Sequence, residues 1–193
     1  MSYLYSLRRI LTLDPGIHRE LAESGRLFKT AFLNLLFLGL AFGSAYIYNA
    51  SVLLRTEQPG GFQSPAIGIA VYFMLIVAAT AQIFLAHAGF SLLLWAMSRG
   101  LKGTNSFFPV YLHTGAAMVP FWLGIPMTFL YTSGHFGLPA LLLGALGLAW
   151  GAGTLIYAVM ASQNLSFFRS TVSLAITVIF IISFRILWPW SQV

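Results

Sequence analysis

Apolar residues run along this chain in five long blocks, separated by short clusters of charged, glycine and proline residues. A helix needs about 20 mainly apolar residues to cross a hydrocarbon core. The blocks at 27–54, 65–97, 108–131, 136–161 and 171–188 reach about that length. The second is long enough to tilt or to extend past the membrane. The third carries Pro109, Pro120 and Pro126. A proline inside a helix lacks an amide donor and clashes with the preceding turn, so Pro120 and Pro126 predict a kink or a break. At membrane depth, neighbouring helices or water must then satisfy the freed carbonyls. The pattern predicts an all-α, polytopic membrane protein: a five-helix transmembrane domain over 27–193, preceded by a short segment, 1–26.

That opening segment has a helical period of its own. Tyr3, Leu4, Leu7, Ile10 and Leu11 fall on one face, with Arg8 and Arg9 off it. Asp14 is placed to cap a second short helix with Pro15 at its first position, and Gly25 punctuates its end. The segment fits an amphipathic helix lying on anionic lipid equally with a helix packed on its own bundle. It lacks the apolar core and cleavage site of a signal peptide, which predicts that it is retained.

Composition narrows the class. Hydrophobic residues make up 59%, charged residues only 7%, and mean hydropathy is +0.85. Soluble domains carry about 25% charge, so the chain reads as an integral membrane protein. The net charge of +6 comes from cations beside membrane-length blocks, and no nucleic-acid-binding pattern accompanies them. Cysteine is absent, which removes disulfides and thiolate chemistry.

All four acids (Asp14, Glu20, Glu23 and Glu57) lie in the first third, and the following 136 residues contain none. Most of the protein therefore lacks the commonest general acids, cation ligands and proton-relay groups. The cations set an expected orientation. Arg8, Arg9, Arg19, Arg26, Lys29, Arg99, Lys102 and Arg169 fall on one side, and only Arg55 and Arg185 on the other. Eight against two predicts a cytoplasmic amino terminus and an outside carboxyl terminus.

His87 is the ionisable residue inside the second block, on one helical face with Thr80 and Ser91. It is either a functional group in the bilayer or a neutral histidine bonded to a neighbouring helix. With Tyr111 and His113 it forms a candidate polar cavity. His135 falls in a tight turn, and the four histidines never recur at metal-pair spacing. No catalytic, metal or cofactor residue is predicted. Gly39-x-x-x-Gly43 and Gly147-x-x-x-Gly151 allow close helix approach within the bundle or between two copies. Arg185 with Trp188-Pro189-Trp190 reads as an interfacial anchor, Arg169 with Gln163 and Asn164 as a solvated turn, and Thr56–Gly61 as an ordinary connection. Asn49-Ala50-Ser51 matches a glycosylation triplet.

Three short motifs and an entry segment carry a family resemblance. Gly100-Leu101-Lys102-Gly103-Thr104-Asn105-Ser106-Phe107 resembles the Gly-Gly-x-Gly-Ser-Phe connection of the Ypt-interacting protein (Yip) domain family. His113-Thr114-Gly115-Ala116-Ala117-Met118-Val119-Pro120 is similar to its Gly-Tyr-x-x-x-Pro signature. Gln163-Asn164-Leu165-Ser166, leading to Ser170 and Ala175, resembles its turn before the last span, and Leu13-Asp14-Pro15-Gly16 its entry segment. Leu101 and Ala116 stand where the family usually has glycine and tyrosine. The resemblance implies five spans and a cytoplasmic start. Eukaryotic members bind Rab-type GTPases and act in early secretory traffic, using a long soluble amino-terminal region as well as the membrane domain; with about 26 residues ahead of its first block, this chain resembles a compact bacterial member.

The expected function is a non-enzymatic scaffold or partner-binding, membrane-organising subunit of a bacterial cytoplasmic membrane. A Golgi or endoplasmic reticulum membrane is the alternative location. Its partners would be membrane lipids and other membrane proteins or further copies of itself, contacted through Arg8, Arg9 and Lys102, with no nucleic acid. The alternative function is a small transporter or lipid-handling permease built around His87, Tyr111 and His113.

Overall fold

The structure, a computed structural model, describes residues 2–57 and 65–187, with side chains over 2–53 and 67–184. The described residues form α1 (Tyr3–Leu11), α2 (Ile17–Glu23), α3 (Leu27–Glu57), α4 (Pro65–Gly100), α5 (Phe107–Ala116), α6 (Phe121–Thr132), α7 (Gly137–Gln163) and α8 (Phe167–Leu187). Four of these, α3, α4, α7 and α8, are long and apolar enough to cross a membrane. The α5–α6 pair makes a fifth if its two halves count as one span. The chain is all-α, with four or five candidate spans, as in a helical multi-pass membrane protein.

The third block is where the fold departs most from a simple hydropathy reading. It is two helices, bent by 78° across a break at residues 117–120. Pro120 immediately precedes α6 with φ −65°, where its missing amide costs nothing, whereas Pro126 lies inside α6 without interrupting it. The break is bridged by tight turns, Met118 N–H to Gly115 O at 3.3 Å and Phe121 N–H to Met118 O at 3.1 Å. Neighbouring helices satisfy the carbonyls it frees. Asn34 Nδ2 of α3 donates to Ala116 O at 2.6 Å, and Thr154 Oγ1 of α7 to Ala117 O at 2.9 Å.

Glycines bring two helix pairs into backbone contact. A Cβ on Gly147 would stand 2.5 Å from the Gly124 nitrogen, and one on Gly144 would stand 2.6 Å from Thr128 Oγ1. Gly151 lies against the Phe121 ring, completing the α6–α7 seam. On α3, a Cβ on Gly39 would meet Thr80 at 2.7 Å, and one on Gly43 would meet the Ile76 backbone at 3.3 Å. Both Gly-x-x-x-Gly pairs therefore pack within this bundle.

The opening segment packs on the bundle too. Ile10, Ile17 and Leu21 join Leu27, Ala31, Ala116 and Val119 in one buried cluster. Tyr3 Oη donates to Asn34 Oδ1 at 2.6 Å, and Trp150 Nε1 of α7 donates to Leu11 O at 2.9 Å. Leu4, expected on the apolar face, is 75% exposed, because the buried edge of α1 runs through Ser6 and Ile10. Asp14 does not cap α2, which begins at Ile17. It accepts from Gly16 N–H at 2.8 Å and from Arg9 Nε at 2.6 Å, and Arg9 Nη1 also pairs with Glu20. Gly25, at φ +68°, closes the connection into α3.

At the other end of the bundle, His135 Nε2 lies 2.9 Å from Asn49 Oδ1, tying the α6–α7 turn to α3. Asn49 is therefore a half-buried helical residue already engaged, an unsuitable glycan acceptor. α3 runs through Glu57. The rest of the predicted turn at 58–61, the Trp188-Pro189-Trp190 belt and the side chains of Arg55 and Arg185 lie outside the described residues.

Candidate functional site

His87 belongs to α4 and faces α5. Its Nε2 lies 3.1 Å from the carbonyl oxygen of Tyr111, 3.3 Å from Ser91 Oγ and 3.4 Å from Thr114 Oγ1. A carbonyl only accepts, so on a neutral ring the proton sits on Nε2 and donates to Tyr111 O. The hydroxyls follow in sequence. Ser91 Oγ is 3.0 Å from Thr114 Oγ1, which itself donates to Val110 O at 2.7 Å. Nδ1 is left buried and without a hydrogen-bond partner.

One side of this residue forms part of a wall. A cavity of about 560 Å³ lies between α4, α6, α7 and α8, with Leu38 of α3 and Met118 of the break among its lining. The α4 contribution is Ile83, Ala86, His87 and Phe90, and Phe121 and Ile125 come from α6. Ala149 and Ala152 of α7 present single methyl groups, and that leaves the space open. Leu38, Leu155 and Leu174 are buried at its inner side, whereas Leu148 and Val178 are 38% and 42% exposed at its rim. The lining on α3, α4, α7 and α8 falls within their membrane-length segments. This is an apolar cavity with one histidine in its wall.

The expected polar cavity therefore takes a different form. His87 and Tyr111 do come together, their ring centroids 4.9 Å apart, but Tyr111 does not line the cavity. His113 turns to the opposite face of α5, where its ring lies 5.6 Å from that of His18 on α2. Both are buried, 5% and 1% exposed, and neither Nδ1 has a partner. Helix periodicity separates them from the start, since positions 111 and 113 point about 200° apart. Burial, with the neighbouring His113 adding to it, holds the His18 imidazole down at about 3. Nearby, burial pushes the Tyr3 phenol up to about 12, and the Arg9 guanidinium with the Gly16 amide holds the Asp14 carboxyl below its usual range. Among the described residues, no three His, Asp or Glu side chains gather as a metal set.

Of the candidate contact residues, Arg8 and Lys102 are exposed, whereas Arg9 is engaged with Asp14 and Glu20. Lys102 sits in a left-handed turn at φ +73° on the connection between α4 and α5. That connection is stitched to the end of α7. Asn105 Nδ2 donates to Ser162 O at 2.6 Å, and Gln163 Nε2 donates to Asn105 O at 3.2 Å. Gln163 is fully buried there rather than lying in a solvated turn, while Asn164 and Arg169 are exposed. The two segments singled out by sequence, around Gly103 and around Gln163, are thus one structural unit.

Two participants escaped the sequence reading. Asn34 joins α1, α3 and the break, and its own backbone carbonyl accepts from Trp122 Nε1 at 2.9 Å. An amide inside an apolar block was the available signal, because such a group must find partners in hydrocarbon. His18 gave none, lying in a segment whose docking was undetermined. No protein-family model, curated protein or solved structure matches the chain.

Proposed function

We propose that this protein is a non-enzymatic, lipid-binding membrane subunit that holds a hydrocarbon chain between α4, α6, α7 and α8 and so organises the membrane around it. The observation that carries this reading is the apolar cavity of about 560 Å³, within the range of about 300–1,000 Å³ usual for small-molecule sites. A lining dominated by leucine, isoleucine, phenylalanine and alanine, with His87 its one polar residue, suits an acyl chain and gives an ion no charged partner. The rim at Leu148 and Val178 would meet the bilayer, the natural source of such a chain. The segregation of acids into the first 57 residues adds support for a role without carboxylate catalysis.

The eight-to-two distribution of cations supports placing α1, α2 and the α4–α5 connection on the cytoplasmic side. A bacterial cytoplasmic membrane and kinship with the Yip domain family rest on the three motifs quoted above. Exposed Arg8 and Lys102 would then face anionic headgroups or a partner chain.

Native mass spectrometry of protein purified in gentle detergent tests the reading. The wild type retains a co-purified lipid, and Ala152→Phe, which fills the space, loses it while keeping its melting temperature within a few degrees. A wild type free of lipid, or a filled variant that retains it equally, overturns the proposal.

A further inference from the structure

We propose that α1 lies in the plane of one leaflet, with acyl chains against Leu4 and Tyr5 and anionic headgroups on Arg8, Arg19, Arg26 and Lys29. This lipid contact is separate from the cavity, to whose wall residues 2–29 contribute nothing.

The level of α1 in the bundle follows from its two ties. α6 runs alongside both α3 and α7. Phe121 lies on Gly151 and Thr128 on Gly144 of α7, while Trp122 bonds Asn34 and Phe129 meets Phe42 and Tyr46 of α3. The neighbours Phe121 and Trp122 therefore set Trp150 and Asn34 at one level. Tyr3, at the start of α1, donates to Asn34, and Leu11, at its end, accepts from Trp150. Held at that level at both ends, α1 crosses these helices instead of running along them.

Asn34 lies about 10 Å along α3 from Leu27, and Trp150 about 20 Å along α7 from Gln163, at 1.5 Å per residue. Both are inside membrane-length segments. Interfacial helices sink about 5–10 Å into the boundary between headgroups and chains. α1 is therefore at the depth of acyl chains, fastened to protein along one side. Its other side carries Leu4, 75% exposed, and Tyr5, 50% exposed, and at that depth an exposed side chain meets lipid.

The cations belong to the same segment. Arg9 is engaged with Asp14 and Glu20, so Arg8, Arg19, Arg26 and Lys29 stand exposed with Glu23 as the remaining acid among residues 2–29. Arg26 and Lys29 flank the start of α3, and the long Arg8 side chain can reach from α1 to the headgroups. One such cation near the surface favours an anionic lipid by about fivefold.

The test uses the full chain in vesicles of equal parts phosphatidylcholine and phosphatidylglycerol. Leu4→Cys, Glu23→Cys and Ile179→Cys, each carrying a nitroxide, are compared for collision with oxygen, which dissolves in hydrocarbon, and with a polar nickel chelate, which stays in water. The label at position 4 should match the oxygen-rich, chelate-poor pattern of position 179 on α8, and position 23 should show the reverse. A label at position 4 that behaves like position 23 overturns the embedding. One sheltered from both reagents replaces lipid with a second protein chain, and overturns it equally. Nitroxide-labelled phosphatidylglycerol should be held at the wild-type protein at least about fivefold more strongly than labelled phosphatidylcholine. Glutamine at positions 8, 19, 26 and 29 together should equalise the two lipids and leave the label at position 4 at its depth. Equal affinities in the wild type, or a preference that survives the four substitutions, overturn the headgroup contacts. The wild-type comparison decides even if the quadruple variant does not fold. Ala152→Phe, which fills the cavity, should leave both readouts unchanged, so the two lipid sites stand or fall separately.

Discussion

Asn34 and Ala116 are joined across 82 residues of sequence by a 2.6 Å hydrogen bond from the asparagine amide to the alanine carbonyl. That carbonyl is one of those released where α5 ends, and Asn34 also receives Tyr3 Oη at 2.6 Å. One side chain thus closes the broken span and fastens α1. Asn34→Leu leaves a buried carbonyl and a phenol unmatched, and should destabilise the protein by about 1–3 kcal/mol for each orphaned group. Tyr3→Phe should cost less, about 1 kcal/mol. A double-mutant cycle by thermal unfolding in detergent should show coupling between the two; additive losses would mean that the Tyr3 bond is not made.

The α6–α7 seam should be intolerant of a single methyl group. A Cβ on Gly147 would lie 2.5 Å from the Gly124 nitrogen and 3.0 Å from Pro120 O, with backbone unable to yield as a side chain does. Gly147→Ala should lose about 1–3 kcal/mol by overpacking. Gly89, on α4, has nothing within 4 Å of the same position, so Gly89→Ala should be neutral or stabilising by up to about 1 kcal/mol. Equal melting temperatures for the two variants would refute the seam.

Acid should loosen the docking of α2. An unfolded histidine titrates near 6.5, whereas buried His18 is held at about 3, so the unfolded chain binds the extra proton between these values. The docked state is fully favoured above about 6.5 and loses stability as pH falls toward 3. Asp14, held below its usual range, keeps its Arg9 pair through most of that window. The melting temperature of the wild type should fall more between pH 7 and pH 4.5 than that of His18→Gln, which keeps His113 but cannot titrate at position 18. Parallel curves would remove His18 from the pH response.

Absence of cysteine makes the chain a ready background for sidedness labelling. Lys102→Cys and Thr132→Cys place single thiols at exposed positions of the α4–α5 connection and the end of α6. With a cytoplasmic amino terminus, a membrane-impermeant maleimide added to intact cells labels position 132 and spares 102 until the cells are opened. The reverse pattern inverts the topology.

The long blocks were legible because hydrocarbon admits few backbone solutions, and α3, α4, α7 and α8 follow them within a few residues. The broken span was legible in part: Pro120 marked the place, but only Asn34 and Thr154 on other helices make a 78° bend affordable. The grouping of His87 with Tyr111 but not His113 depends on rotation about α5, which hydropathy does not encode. The cavity depends on three small side chains, Ala86, Ala149 and Ala152, meeting from α4 and α7. No local sequence signal distinguishes such a void from a packed seam, as Gly147 and Gly151, interleaved with Ala149 and Ala152 on the same α7, show by packing tightly.

Photo-crosslinking reads the occupant of the cavity most directly. A phospholipid with a diazirine at the end of one acyl chain, reconstituted with the wild type and irradiated, should leave adducts on inner-wall residues such as Ile83, Phe90, Leu155 and Leu174. Ala152→Phe should abolish those adducts and spare adducts on outward-facing Leu85 and Ile179, which are 75% and 63% exposed. Adducts confined to the outward-facing residues in the wild type would contradict a lipid-holding bundle.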